Sequence, residues 1–162
     1  MTIIGIDPGK DGAVAFINGD YGRLDAVHSL RGLKTAELAR SLTLNRYYVS
    51  AFVEDVHSSP QQGVVSAFTF GKGYGVILGA LYVQGVNVKL IRPVEWQGAL
   101  GCLSEGNKKS LFEFAKSLYP TEYAGGMFKA AQADAVLIAH YGMKFMQYNK
   151  EAQDEEGSRT VQ

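Results

Sequence analysis

Three acidic residues stand where a carboxylate is costly to bury. Asp7 ends an apolar run just before Pro-Gly, Glu54 closes a β-branched and aromatic run, and Asp134 lies inside an apolar segment. Losing hydration there is unfavourable unless a positive charge compensates the carboxylate. Mg²⁺ is a natural compensator, because it needs only one or two carboxylates together with water and phosphate oxygens. The sequence therefore predicts that these acids share a metal site.

Each acid also has an ordinary structural explanation. Asp7 can form a turn before Pro-Gly, Glu54 can be a solvated strand end, and Asp134 can cap a helix. Each sign is weak by itself. The metal interpretation depends on the three acids occurring together, two at strand ends and one on a helix.

The elements that must position these residues follow from the spacing of apolar residues. Strands are predicted at residues 3–7, 12–17, 26–30, 47–54 and 86–91, the first two forming a hairpin. Helices are predicted at residues 35–44, 64–84, 93–100, 108–118 and 131–145. A meander followed by β-α units predicts an α/β fold, a mixed sheet flanked by helices.

Composition limits the class of protein. The chain has 162 residues, 46% of them hydrophobic and 20% charged, which fits one globular domain. Cys102 is the only cysteine, so an internal disulfide and a cysteine-rich zinc cluster are excluded, and a cytoplasmic location is expected. No uninterrupted apolar run approaches the roughly 18–20 residues that span a bilayer, so no membrane partner is expected.

The charge is balanced overall but unevenly distributed. Sixteen basic and sixteen acidic residues give no net charge, yet residues 151–162 hold four acids and one base. Residues 1–150 are therefore mildly basic. We expect residues 1–146 to form the folded domain and residues 147–162 to be a polar, acidic and frayed or disordered tail.

The acidic motifs resemble those of RuvC-type Holliday junction resolvases. The resemblance rests on IGIDPG at residues 4–9, VEDVH at 53–57 and ADAVLIA at 133–139. Between them, FTFG at 68–71 and RPVEWQ at 92–97 are similar to the phage-encoded branch of that family, as is the later Lys108-Lys109 pair. The similarity runs in order from about residue 3 to about residue 145.

The resemblance implies an RNase H-like fold with a mixed five-stranded sheet, a homodimer, and paired symmetric nicking of four-way DNA junctions. It also implies two Mg²⁺ ions per active site, for which Mn²⁺ is expected to substitute. Asp7 would bridge the ions, with Glu54 and Asp134 as further ligands. Lys108 or Lys109 would meet the phosphate charge, unless the pair is simply the solvated first turn of a helix.

One departure from the family pattern affects catalysis. The family usually has a second acid three or four residues before the Asp134 position, so that both carboxylates face the same metals. Here those positions are Ala131 and Ala130. Either three acids suffice or the protein is catalytically impaired, and a deliberate acid-to-alanine change would give the same sequence.

Contacts with DNA must come from local groups, since the net charge is zero. The candidates are Phe68, Phe70, Lys72, Lys89, Arg92, Lys116 and Lys129. The two phenylalanines can stack on unpaired bases or simply pack in the core. The apolar helix at 64–84 can bury a face against the sheet and, by resemblance, form a dimer interface.

Two other functions fit parts of the sequence. A branched-DNA-binding protein without catalysis would explain Ala130 and Ala131. An actin-like ATPase also begins with a strand and a Gly-x-Asp-x-Gly turn, but it needs a second phosphate-binding lobe that 162 residues barely allow.

Overall fold

A computed structural model describes residues 1–32, 37, 40, 49–57, 61–103 and 107–159 of the chain. The helix predicted at 35–44 lies outside the described residues, apart from Glu37 and Arg40, which are helical. Residues 47 and 48 of the fourth predicted strand also lie outside them.

Five strands form one mixed sheet. They are β1 (Thr2–Asp7), β2 (Ala13–Asn18), β3 (Arg23–Ser29), β4 (Val49–Glu54) and β5 (Asn87–Ile91), in the spatial order β3-β2-β1-β4-β5. β1, β2 and β3 form an antiparallel meander, while β4 and β5 run parallel to β1. The predicted mixed sheet is confirmed, and the carboxyl ends of β1, β4 and β5 meet at one edge.

The helices follow the sequence pattern with shifted ends. They are α1 (Val64–Val83), α2 (Pro93–Ala99), α3 (Lys108–Leu118), α4 (Pro120–Ala124), a 3₁₀ turn (Ala130–Gln132) and α5 (Ala133–Arg159). The pattern did not predict α4 or the 3₁₀ turn. The expected end of α5 at residue 145 is wrong, because residues 147–159, predicted as frayed, continue the helix.

The two faces of the sheet bury separate apolar clusters. Side chains alternate along β1, so Ile3 faces the cluster under α5 whereas Ile4 and Ile6 face the cluster under α1. By the same alternation, Asp7 at the end of β1 lies on the α5 face.

α5 lies directly against the backbone of β1 because Gly5 has no side chain. A Cβ atom on Gly5 would stand 2.2 Å from the Ala139 nitrogen and 2.4 Å from the Ala135 carbonyl oxygen. Gly142 of α5 makes similar room for Phe52 of β4, since a Cβ on Gly142 would stand 2.4 Å from the Phe52 ring. The contact between Gly5 and α5 places Asp134, one residue before Ala135, over the end of β1.

α1 packs against the sheet less than its composition suggests. Only Ile77 and Leu81 are buried, whereas Val64, Phe68 and Val83 are 75–89% exposed. The helix has 20 residues and a mean hydropathy of 1.4, so by length and composition it could cross a membrane. α1 is not an uninterrupted apolar run, since it contains Ser66, Thr69 and Lys72, so the expectation based on such runs did not cover it.

β5 was predicted as a buried strand, and this is also wrong. It is the edge strand of the sheet, and Leu90 is 40% exposed. A short apolar run does not distinguish a central strand from an edge strand.

Candidate active site

Asp7 is fixed by the turn that follows β1. The backbone N–H of Gly9 donates a hydrogen bond to Asp7 Oδ1 at 2.9 Å, and the Gly12 N–H closes the turn onto the Gly9 carbonyl at 2.9 Å. Gly12 must lack a side chain, because a Cβ atom there would stand 2.1 Å from the Asp7 carbonyl oxygen. The turn therefore accounts for Asp-Pro-Gly and Gly12 together.

Glu54 is brought beside Asp7 by strand pairing. Ile6 pairs with Val53 in parallel register, so the next residues on the two strands, Asp7 and Glu54, are neighbours across about 4.8 Å of backbone. The Glu54 carboxylate accepts a hydrogen bond from the indole Nε1–H of Trp96 at 3.0 Å.

Asp134 enters the same region from α5. It is 5% exposed, and its Oδ2 atom pairs with Lys108 Nζ. Lys108 is the first residue of α3, where Asn107 caps the helix by accepting hydrogen bonds from the backbone N–H groups of Lys109 and Ser110. Asp134 is thus a buried partner of a lysine and not a helix cap.

Asp7, Asp134 and Lys108 border one cleft of about 270 Å³, whose lining does not include Glu54. Its lining residues are Asp7, Gly9, Asp11, Gly12, Lys108, Ala130, Ala131 and Asp134. Both alanines that stand where a further acid was expected therefore face Asp7 and Asp134. Asp11 adds a carboxylate at the rim, where it pairs with Arg31 at 3.2 Å.

Burial raises the pKa of two of the carboxylates. The pKa of Asp7 is raised chiefly by loss of hydration and further by the charge of Asp134, while the Gly9 N–H opposes the shift. Burial and the charges of Asp7 and Asp134 raise the pKa of Glu54 from 4.5 to about 6, against the Trp96 hydrogen bond. The three acids therefore lie within electrostatic range of one another.

Lys108 is the cation that lies within electrostatic range of all three carboxylates. Burial lowers its pKa, but the hydrogen bond to Asp134 and the charges of all three carboxylates outweigh burial, so the pKa is raised overall. Both lysines are exposed, but of the two it is Lys108 whose ammonium group pairs with Asp134. The geometry therefore places Lys108, and not Lys109, in contact with the carboxylates of this site.

The carboxylates do not converge on one point as they stand. Within the described ranges, no group of three or more His, Cys, Asp and Glu side chains is arranged to hold a metal ion. In this state Glu54 is hydrogen-bonded to Trp96 and Asp134 to Lys108. Asp7 and Asp134 nevertheless border the same cleft.

The predicted DNA contacts differ in their placement. Arg92 directly follows β5, at the edge where β1 and β4 end, and Lys129 precedes the 3₁₀ turn that leads to Asp134; both are exposed. Phe68 is 75% exposed at the first turns of α1, whereas Phe70 stacks on Tyr74 at 6.3 Å.

The lysine candidates also differ. Lys72 is exposed on α1. Lys116 pairs with Glu113 at 2.8 Å, and its Nζ lies 5.3 Å from the Phe112 ring centroid and 4.8 Å from that of Tyr123. Lys89 lies over the Phe145 ring at 3.5 Å. These contacts occupy Lys89 and Lys116, so Lys72 is the more accessible of the three.

Sequence reasoning missed two residues of the site. The sequence places Trp96 only within the motif at residues 92–97 and does not single out Asp11. The signal for Asp11 was its place between two glycines beside Asp7, but no sequence pattern links Trp96 to Glu54, 42 residues earlier. His140 bonds through Nδ1 to the Tyr119 hydroxyl at 2.8 Å and so has a structural partner of its own.

Comparison with known proteins gives the fold. No protein-family model matches the sequence, and no curated protein matches it either. Among solved structures, the chain is similar to RuvC from T. thermophilus in complex with a Holliday junction substrate, with a TM-score of 0.65 and 20% identity over 87% of this chain and 91% of that one. A Thermus thermophilus RuvC structure matches with the same score and identity over 92% and 97%. The chain therefore has a RuvC-like α/β fold of the RNase H type.

Proposed function

We propose that the chain is a metal-dependent endodeoxyribonuclease that resolves branched DNA, four-way junctions above all, by paired symmetric nicks. The observation that carries the proposal is the meeting of Asp7, Glu54, Asp134 and Lys108 at the carboxyl edge of the sheet. The similarity to a RuvC that binds a Holliday junction supports the choice of substrate.

The donor set fits hydrated Mg²⁺ ions. The acids are buried enough to raise the pKa of Asp7 and Glu54, and a divalent ion would remove that penalty. Mg²⁺ keeps several waters and needs only one or two protein carboxylates, which Asp7 and Asp134 can supply. We propose two ions per site, with Glu54 as a further ligand and Mn²⁺ as a substitute.

When bound, the ions would lower the pKa of a water molecule and stabilise the leaving 3′-oxygen. The chain's own residues do the rest. Asp7, fixed by Gly9, holds its carboxylate still at the centre of the edge. Lys108 would neutralise charge on the scissile phosphate once Asp134 binds a metal ion and no longer pairs with the lysine.

A second candidate is a branched-DNA-binding protein without catalysis. The observation in its favour is that Ala130 and Ala131 both line the cleft, so a carboxylate that would complete the site is missing from that wall. On this alternative the protein would bind junctions and leave them intact.

The two candidates are separated by a nicking assay on a synthetic four-way junction with Mg²⁺. Symmetric nicks that disappear in Asp7→Asn support the enzyme, and Asp20→Asn, at the opposite end of the sheet, is the matched control. Binding without nicking supports the second candidate. If Ala130→Asp or Ala131→Asp then restores nicking, the chain is an impaired form of the enzyme.

The proposal includes a homodimer built on α1. Its outward face carries Gly71, Gly75 and Gly79, and a Cβ atom at each would meet nothing within 4 Å. Such a surface allows another helix to approach closely, and a resolvase needs two sites. Ile77 and Leu81 pack into the same domain as the sheet, which favours a partner helix over a bilayer.

The assignment to the phage-encoded branch, in the cytoplasm of a host cell, also belongs to the proposal. It is supported by the likeness of residues 68–75 and 92–97 to that branch. Comparison of gel shifts on junction, fork and duplex DNA would establish the preferred substrate.

A further inference from the structure

The side chain that contacts Glu54 is itself unusual. Trp96 is fully buried and belongs to the large cluster under α5, yet its indole N–H donates to Glu54 Oε1 at 3.0 Å. A buried indole N–H must find an acceptor, and any backbone carbonyl would serve for packing alone. Here the acceptor is the carboxylate that stands beside Asp7 at the end of the neighbouring strand.

α2, which carries Trp96, is anchored on two sides. The Tyr141 hydroxyl of α5 donates to Glu95 Oε1 at 3.1 Å, and Lys89 Nζ of β5 lies 4.0 Å from the same oxygen. The indole is therefore held by its helix as well as by its own packing. Glu54 cannot rotate without breaking a hydrogen bond to a fixed donor.

We propose that Trp96 is a positioning residue for Glu54. Its N–H occupies one carboxylate oxygen and fixes the plane of the group, so that the other oxygen is presented to a divalent ion. Partners of this kind, which orient a metal ligand without touching the metal, commonly change metal affinity about 10- to 100-fold when they are removed. The inference rests on the proposed function, because it requires that the site take an ion.

The test is a calorimetric titration of the full chain with Mn²⁺ alone. Trp96→Phe keeps an aromatic ring but removes the N–H, and we expect it to weaken Mn²⁺ binding by about 10- to 100-fold. Tyr119→Phe is the matched control, since it also removes a buried aromatic hydrogen bond from the same cluster, to His140. It should bind Mn²⁺ as the wild type does.

A second measurement needs no change at Trp96. Trp96 is the only tryptophan of the chain, so its fluorescence reports on this position alone. Paramagnetic Mn²⁺ held by Glu54 should quench that emission with the calorimetric midpoint, and Glu54→Gln should weaken the quenching. This readout decides the matter if Trp96→Phe fails to fold.

The outcomes separate the inference from the proposed function. If the wild type binds Mn²⁺ and Trp96→Phe binds it equally well, the positioning role is wrong and the metal site stands. Saturation with Mn²⁺ that leaves the Trp96 emission unchanged would overturn the positioning role in the same way. A wild type that binds no Mn²⁺ would overturn both.

Discussion

At the scale of single residues, the main feature is that acids are buried beside one another with one lysine among them. In the metal-free chain this arrangement works against stability, because Asp7 and Glu54 both have raised pKa values. A site that is strained in this way when empty is suited to a cation.

The pKa of Glu54 gives a stability prediction. In the folded chain the pKa of Glu54 is about 6, above the ordinary 4.5. The stability that the protonated Glu54 carboxyl gives the folded state is therefore fully present below about pH 4.5 and is lost as the pH rises through about 6. Between these limits the metal-free wild type should lose about 1–2 kcal/mol of unfolding free energy relative to Glu54→Gln. Urea unfolding in a chelator at several pH values measures this.

Both proteins keep the other titrating groups, so the comparison isolates Glu54. Burial raises the pKa of Asp7, which acts in the same direction, and lowers the pKa of His140, which acts in the opposite direction. Parallel pH profiles for the two proteins would contradict the prediction.

The two adjacent lysines give a catalytic prediction. Lys108→Met should reduce single-turnover nicking by about 100-fold, because it removes the cation closest to Asp134. Lys109→Met, at the exposed neighbouring position, should stay within a few-fold of wild type and is the control. Equal losses in both variants would show that the pair acts only through general charge.

At the scale of elements, the site depends on how closely α5 approaches β1. Gly5→Ala would drive a Cβ into the Ala139 nitrogen and the Ala135 carbonyl, neither of which can move without moving the helix. We expect a loss of about 3 kcal/mol or more of unfolding free energy. Gly98→Ala in α2, where a Cβ meets nothing, should be neutral in the same urea titration.

The open glycines of α1 give a prediction about assembly. Gly75→Leu adds a side chain to a face that is empty in the monomer, so it should block a close helix partner and leave the fold intact. Sedimentation should then show a monomer for Gly75→Leu and, on the proposed function, a dimer for the wild type. Thr69→Leu is the control, because Thr69 is also exposed but points about 120° away from Gly75 around the helix axis. A wild-type monomer would contradict the dimer outright.

At the scale of the whole molecule, the absence of net charge means that individual cations must make the DNA contacts of the proposed function. Each phosphate contact contributes about 0.9 to the slope of log affinity against log salt. Lys129→Ala, near the amino end of α5, should therefore reduce the slope for junction binding by about 0.9. Lys150→Ala, near the far end of α5, should not change it, and equal slopes would remove Lys129 from the interface.

The sheet and the three acids could be predicted from the sequence because strand periodicity and carboxylates in apolar surroundings are local signals. The edge position of β5 and the exposure of α1 could not, since both depend on which element has a neighbour. The choice between Lys108 and Lys109 required the pairing of Lys108 with Asp134, which lies 26 residues later. The link between Trp96 and Glu54 required the register of distant elements.

The length of α5 has a practical consequence. Arg159 lies 25 residues beyond Asp134 on one helix, a rise of about 38 Å. A fluorophore or surface tether attached near the carboxyl terminus would thus stand well clear of the cleft. Single immobilised molecules could then be used to test whether the chain captures and releases branched DNA.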